Sequence, residues 1–385
     1  MIAVLCVLAA LALVILGLLV HAKLRAGAQD AAAPTPTAFV PPEAEPGGVT
    51  TLSFEKAASD AIRLTWEEPE GAVRVAVMRR AAVGGEWETR AALDAGACVY
   101  TDMLSDTAPQ QYLYRIDLLS AAGDTLAQGA VIPASNISVC LDPGHYLNAS
   151  VLTGDDLYGY GEGLVMLRLG LELRTVLRES YGISAVMTRE TDSITIGGYT
   201  DGELDNQHLS LRGSFAAGQD LFLSLHSNAN LDNANGYPTC SQPLSINKTL
   251  VFVNRVALGS ERYMRLANAI GSRVTAVNAA AGLTTTGDAF TPGDADALIP
   301  WDDPFNDSLD TPGTVCYRDG ENHEDYYGVL RGAASVGVPG LIVEHGFHTV
   351  AEVRKAAMEG DLVRRWAEAD AAGIAEGFGF LLPAV

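Results

Sequence analysis

The sequence predicts an α/β domain with a mostly parallel sheet flanked by helices, preceded by an all-β sandwich and a transmembrane helix or signal segment. Three observations carry this. From Asn136 onward, short apolar runs alternate with stretches of helical spacing, the pattern of a layered fold around a parallel sheet. Between residues 49 and 134, apolar residues alternate with polar ones at period two, which puts each set on one face of a strand. Ile2 to Val20 contains no charge at all.

Size and charge narrow the function classes. At roughly 150 residues per domain, 385 residues suggest two or three units. A hydrophobic share of 48%, a charged share of 19% and a mean hydropathy of +0.14 exclude a disordered chain. Lys plus Arg is 25 against 47 for Asp plus Glu, a net charge of −22. Phosphate backbones are bound by clustered Lys and Arg, so no nucleic acid is expected as a partner. Five cysteines are too few for a disulfide scaffold. Cys140 reads as a small core residue, and Cys240 and Cys316 would be able to pair if exported.

Residues 1–22 read as a transmembrane anchor or signal segment. At about 1.5 Å per residue, the run from 2 to 20 nearly spans a bilayer's hydrocarbon core. A signal peptide normally has a shorter apolar region after a basic stretch. Here Lys23 and Arg25 follow the run, and by the positive-inside rule they would keep the remainder cytoplasmic. That runs against the export expected below. Residues 23–48, with Pro34, Pro36, Pro41, Pro42 and Pro46, read as a semi-rigid linker.

In residues 49–134 the alternating sets are Ile62, Leu64, Trp66; Val73, Val75, Val77; and Tyr112, Tyr114, Ile116, Leu118. Turns at Gly84-Gly85 and at Ala121 to Asp124 separate them, as in a sandwich. Nothing in this stretch looks catalytic, so a spacer or adhesion module is expected. In 136–385, strands are expected at 137–142, 183–189, 220–226, 249–254 and 339–345. Helices are expected at 162–181, 207–217, 260–281 and 349–378, the last interrupted at Gly360. Residues 284–324, rich in Gly, Asp, Pro and Thr, read as a long loop or insertion.

The chemistry lies at strand ends. "CLDPGH" delivers His145, "FLSLH" delivers His226, and "LIVEH" delivers Glu344 and His345. Ligands of open α/β sheets bind beyond the carboxyl ends of the strands, so these groups can converge. Pro143-Gly144 supplies a tight turn before His145. Two histidines and a carboxylate suit Zn²⁺. Glu162, opening the first amphipathic helix, is the best third ligand; Asp155 and Asp156 are nearer in sequence. His345 and His348 read as structural or supporting, with a metal pair around Glu344 as the variant reading. His208 and His323 read as solvated. Arg189 and Arg212 suit either substrate carboxylates or local acids, and Asn228 suits the loop backbone beside the site.

Two resemblances follow from these stretches. Trp66 and "QYLYRIDLLSAAG", with Tyr112 as a corner tyrosine, resemble a fibronectin type III domain. "VCLDPGH", "GYGEGLVMLRLGLELRTVL", "GISAVMTRETD", "LSLRGSFA", "DLFLSLHSNAN" and "VLRGAASVGVPGLIVEHGF" resemble, in order, the zinc-dependent N-acetylmuramoyl-L-alanine amidases of bacterial cell walls. That resemblance implies His145, Glu162 and His226 as zinc ligands and Glu344 as catalytic acid/base. It implies peptidoglycan as substrate and partner, and an extracytoplasmic place, membrane-anchored through residues 2–20 or secreted to the wall. The departures are Tyr146 where the family usually has Gly, a longer stretch from His145 to Glu162, and His345-Gly346-Phe347-His348-Thr349 after the glutamate. Two other readings remain at this point, a wall-binding protein without turnover and a zinc hydrolase of a different wall amide. The negative net charge does not favour adsorption to anionic wall polymers, so targeting would rest on the membrane segment and the β domain.

Overall fold

The computed structural model describes residues 44–71, 73–147, 159–229, 246–285, 288–296, 298–300, 311–320, 322 and 324–380. The apolar segment 2–20, most of the linker, Asp155, Asp156, Cys240 and His323 lie outside them. Among the described residues no helix is long and apolar enough to cross a membrane.

Among the described residues, the N-terminal part forms eight strands: β1 (Ser53–Ala58), β2 (Ala61–Thr65), β3 (Arg74–Ala81), β4 (Glu88–Asp94), β5 (Val99–Met103), β6 (Gln111–Leu119), β7 (Thr125–Ala127) and β8 (Ile132–Ser135). They form antiparallel sheets β1-β2-β5 and β4-β3-β6-β7, with β8 paired to β6. Period-two alternation turns Phe54, Ile62, Leu64, Trp66, Val75, Val77, Tyr114 and Ile116 into the shared core. Val73 departs from the expected face. It precedes β3 and is 59% exposed, so the inward set begins at Val75. Tyr112 bonds the Gln110 side chain at 2.7 Å.

This sandwich is not a detached spacer. Only Asn136 and Ile137 separate β8 from β9 (Ser138–Pro143), the first strand of the second sheet. Lys56 of β1 makes a two-oxygen ion pair with Asp220 at 2.9 and 2.8 Å. Ser135 Oγ and Gln111 Nε2 both donate at 2.6 Å to the carbonyls of Gly182 and Tyr181. Ala82, Leu113 and Val131 enter the same apolar core as the second part.

The second part comprises α1 (Glu162–Tyr181), β10 (Ser184–Met187), β11 (Thr195–Ile196), β12 (Tyr199–Thr200), α2 (Asp201–Gln207), α3 (Leu209–Ser214), β13 (Leu221–Asn228), β14 (Leu250–Val253), α4 (Arg255–Leu258) and α5 (Glu261–Ala280). It continues with β15 (Phe290–Thr291), β16 (Ile299–Pro300), β17 (Gly313–Tyr317), α6 (Gly328–Ser335), β18 (Gly340–Phe347), α7 (Ala351–Glu359) and α8 (Leu362–Phe378). The sheet order is β10-β9-β13-β18-β14-β17-β15, with β16 also on β17. Its pairings are parallel except β14 against β18.

Both faces are covered, so the central strands are buried along their length. Val139, Leu141, Leu223, Leu225, Leu341 and Val343 face α1, α5 and α8. Cys140, Phe222, Phe252 and Ile342 face α6. Residues 284–324 differ from the expected long loop. They contribute β15, β16 and β17, and β17 sits inside the sheet against β14. "GTVCY" is short and buried on both faces, so its apolar signal is diluted by the polar composition around it. Cys316 lies in this strand, buried and with a free thiol, as does Cys140 in β9.

Candidate active site

The alternation along β9, β13 and β18 decides which polar groups meet. Asp142, Ser224, His226 and Glu344 occupy the same parity as Cys140, Phe222 and Ile342, so they project from the α6 side of the sheet. His226 is the register partner of Glu344 across the parallel β13–β18 pair. His145 follows β9 through Pro143-Gly144. A Cβ at Gly144 would stand 2.5 Å from His226 Cε1 and 2.6 Å from the Leu225 carbonyl. Gly144 is therefore required for room, and its absence of a side chain lets the two histidines approach, with ring centroids 5.1 Å apart.

Glu162 arrives from the other side of the sheet, at the start of α1. Gly163 makes this fit, since a Cβ there would stand 2.1 Å from the Tyr146 carbonyl oxygen. Glu162 Oε1 is 3.1 Å from His226 Nδ1 and Oε2 is 3.4 Å from His145 Nε2. One ligand atom from each of His145, Glu162 and His226 lies within 4.8 Å of the others, and the three form a set able to hold a metal ion. Burial works against charging Glu162, but the histidines around it outweigh this and hold its carboxyl well below the usual range.

Glu344 behaves oppositely. It is partly exposed, yet its Oε2 is enclosed and has no hydrogen-bond partner among the described residues. Burial first and the Glu162 charge second push its carboxyl up to about 8. Two carboxylates in one site are thus driven apart, the pattern expected of an acid/base beside a permanent anion.

The site is held by buried polar partners that sequence reasoning did not find. His145 Nδ1 is 3.1 Å from Asp205 Oδ2 on α2. His226 Nε2 is 3.1 Å from Ser224 Oγ, which donates to Asp142 Oδ2 at 2.7 Å. The Ser227 backbone N–H donates to Glu162 Oε1 at 3.1 Å. Ser227 Oγ in turn bridges Tyr160 at 2.6 Å and His348 at 2.9 Å. His345 is fully buried, with Nδ1 at 3.1 Å from the His226 carbonyl and Nε2 at 2.8 Å from Asp370. Both late histidines therefore support the site from behind. Ser224, two residues before His226 on the same strand face, carried a readable signal. Asp205 and Asp370, from separate helices, carried none.

The two arginines are structural. Arg189 donates to the carbonyls of Pro143 at 3.1 Å, Gly144 at 3.0 Å and Gly163 at 2.5 Å, tying the His145 turn to the start of α1. Arg212 is buried and pairs with Asp142 and Asp205. Neither side chain reaches toward open solvent to meet a substrate. His208 stacks on Tyr199, with centroids 3.8 Å apart. Asn228 accepts from the Ala229 N–H at 2.7 Å through its side chain and from the His348 N–H at 2.8 Å through its carbonyl.

The sequence profile of a family described as N-acetylmuramoyl-L-alanine amidase matches residues 139–376. No curated protein matches the sequence. Similar solved structures include Cwp6 from Clostridium difficile, at 22% identity and a TM-score of 0.41, over 62% of this chain and 29% of that one. The amidase AmiC2 of Nostoc punctiforme is similar at 22% identity and a TM-score of 0.40, over 63% of this chain and 97% of that one. The CwlD amidase from Clostridioides difficile, solved with the GerS lipoprotein, is similar at 17% identity and a TM-score of 0.42, over 63% of this chain and 99% of that one. The chain thus spans less than a third of Cwp6 and nearly all of the other two. Because the family profile runs from β9 into α8, over more than half of the residues, the chain belongs to the N-acetylmuramoyl-L-alanine amidase family.

Proposed function

We propose that this peptidoglycan amidase is zinc-dependent, with His145, Glu162 and His226 as ligands and Glu344 as catalytic acid/base. The observation that carries the reading is the cluster of two imidazoles and one carboxylate beside a carboxyl oxygen that has no hydrogen-bond partner among the described residues. The donors fit the metal. Zn²⁺ takes imidazole nitrogen and carboxylate oxygen, and a catalytic zinc has three protein ligands and one open position. Bound there, Zn²⁺ would act as a Lewis acid on the amide carbonyl and on the attacking water.

The residues supply the rest. Glu344, register partner of His226, takes a proton from the attacking water and returns it to the leaving alanine nitrogen as the C–N bond to the lactyl carbonyl breaks. In the metal-free protein, burial and the Glu162 charge raise this carboxyl to about 8. Glu344 would be shifted from there toward its base form by a cation held on His145, Glu162 and His226.

The apolar run 2–20 supports membrane anchoring, or secretion to the wall after its removal, with the hydrolase outside the cytoplasm. The two-sheet topology and the buried Trp66 support a fibronectin type III-like sandwich. The test is incubation of the full chain with purified peptidoglycan, with and without a chelator, followed by mass spectrometry. Free peptides beginning with alanine, beside glycan strands without peptides and absent after chelation, are the expected products. Cuts within the stem peptide would overturn the bond assignment. Undiminished products after chelation and verified metal loss would overturn the zinc assignment.

A further inference from the structure

We propose that Asp205 is a positioning residue for the metal ligand His145: it accepts the Nδ1–H and so presents Nε2 to the cation. This rests on the zinc reading above. A neutral imidazole carries one proton, and the group bonded to one nitrogen decides which nitrogen is free to ligate. In metal sites a carboxylate behind a ligating histidine fixes its orientation and raises the basicity of the ligating nitrogen.

The geometry has each part of such an arrangement. His145 Nδ1 lies 3.1 Å from Asp205 Oδ2, while Nε2 faces Glu162 Oε2 at 3.4 Å. Asp205 is itself held. Its Oδ1 accepts from Arg212 Nη1, and its side chain is only 10% exposed. Arg212 is locked in turn, donating from Nε and Nη2 to Asp142 Oδ1 at 3.0 and 2.8 Å. The same Arg212 Nη1 also donates to the His145 carbonyl at 3.3 Å. One guanidinium thereby restrains the His145 backbone and the carboxylate that orients its ring.

That restraint matters because His145 has φ 57°, a left-handed conformation that a residue with a Cβ seldom adopts unaided. The short helix carrying Asp205 is fixed at its start by Asp201, whose Oδ1 accepts from Ile194 N at 2.9 Å and Ser193 Oγ at 2.8 Å. Buried Leu204 anchors it from below. The second histidine is oriented by different chemistry. Ser224 Oγ sits on His226 Nε2, which turns Nδ1 toward Glu162. The two ligands therefore present opposite ring nitrogens, one backed by a carboxylate and one by a hydroxyl.

The test measures zinc affinity of the full chain by competition with a chromophoric chelator, together with ring ¹⁵N spectra of His145. Asp205→Ala is expected to bind zinc about 10–100-fold more weakly, the usual cost of removing such a partner. Asp205→Asn, which keeps the volume and loses the charge, is expected to weaken binding by at least about threefold in the same sense. In Asp205→Ala, spectra of the metal-free chain at a pH where His145 is neutral are expected to show a mixture of tautomers in place of the Nδ1–H form, whereas the amide oxygen of Asp205→Asn can still accept that proton. Glu203→Gln, exposed on the same helix, leaves affinity and spectrum unchanged. Affinity within about threefold of wild type in Asp205→Asn, or an unaltered His145 spectrum in Asp205→Ala, overturns the proposal, and the affinity of Asp205→Asn decides alone if Asp205→Ala fails to fold. Wild-type chain that takes up no zinc would instead overturn the metal reading on which this one rests.

Discussion

Replacing Arg212 with Met separates a buried strut from a substrate ligand. The substitution keeps most of the side-chain length and removes the charge. The structure lists what is lost: bonds to Asp142 Oδ1 at 3.0 and 2.8 Å, to the Pro143 carbonyl at 2.7 Å, to the His145 carbonyl at 3.3 Å, and the pair with Asp205. Asp142 is completely buried and would keep only the neutral donors Thr188 at 2.6 Å and Ser224 at 2.7 Å. Removing one partner of a buried ion pair costs about 3–5 kcal/mol, because the other charge stays buried. At about 2–4 °C per kcal/mol for a domain of this size, the melting temperature should fall by roughly 6–20 °C. The assay is thermal unfolding of the metal-free chain, so that bound ligand does not shift the midpoint. Adding Asp142→Asn should recover part of the loss, since the groups share one network. A melting temperature within about 1 °C of wild type, with KM for wall fragments raised at least tenfold, would refute the reasoning and return Arg212 to a substrate-binding role.

Four further outcomes are expected. Glu344→Gln should lower turnover by about 10²–10⁴-fold while the chain still takes up one zinc per molecule, and near wild-type hydrolysis would contradict its role. With its carboxyl raised to about 8, metal-free folded protein holds a proton on Glu344 that the unfolded chain releases near pH 4.5. This contribution to stability is present in full below about pH 4.5 and is lost as pH rises through about 8, so urea midpoints should fall across that window and Glu344→Gln should flatten the slope. Gly144→Ala should abolish zinc uptake and activity together, because its Cβ would meet His226 Cε1 at 2.5 Å; retained binding would show that the turn can move. Lys56→Ala should cost about 1–2 kcal/mol, and hydrogen exchange should report it in both β1 and β13. Protection lost in the sandwich alone would mean that the two parts fold separately.

Much of the site was legible because His145, His226 and Glu344 lie at or just past strand ends inside short, strongly patterned segments. The strand carrying His226 and the one carrying Glu344 are both apolar runs ending in an ionisable group, and the helix opened by Glu162 has a clean 3.6 period. What escaped was the material whose meaning depends on neighbours distant in sequence. Arg189 and Arg212 look in sequence like any two cations, and only their enclosure among carbonyls and carboxylates makes them struts. Residues 313–317 look like part of a polar loop until they are found between β14 and β15.

Local periods, the turn that carries His145 and most of the strand and helix order were readable in the residues alone, whereas β15 to β17 and α6 were not. The readable features depend on residues a few positions apart, where backbone geometry maps spacing onto faces. Packing alone decided that Asp205, 60 residues beyond His145, meets its Nδ1, and that Asp370 meets His345. It also decided that the sandwich shares a core with the hydrolase. Those choices follow from how packed layers meet. A hydrogen bond between distant helices and strands is fixed by the register and burial of both, and neither partner's local sequence encodes it.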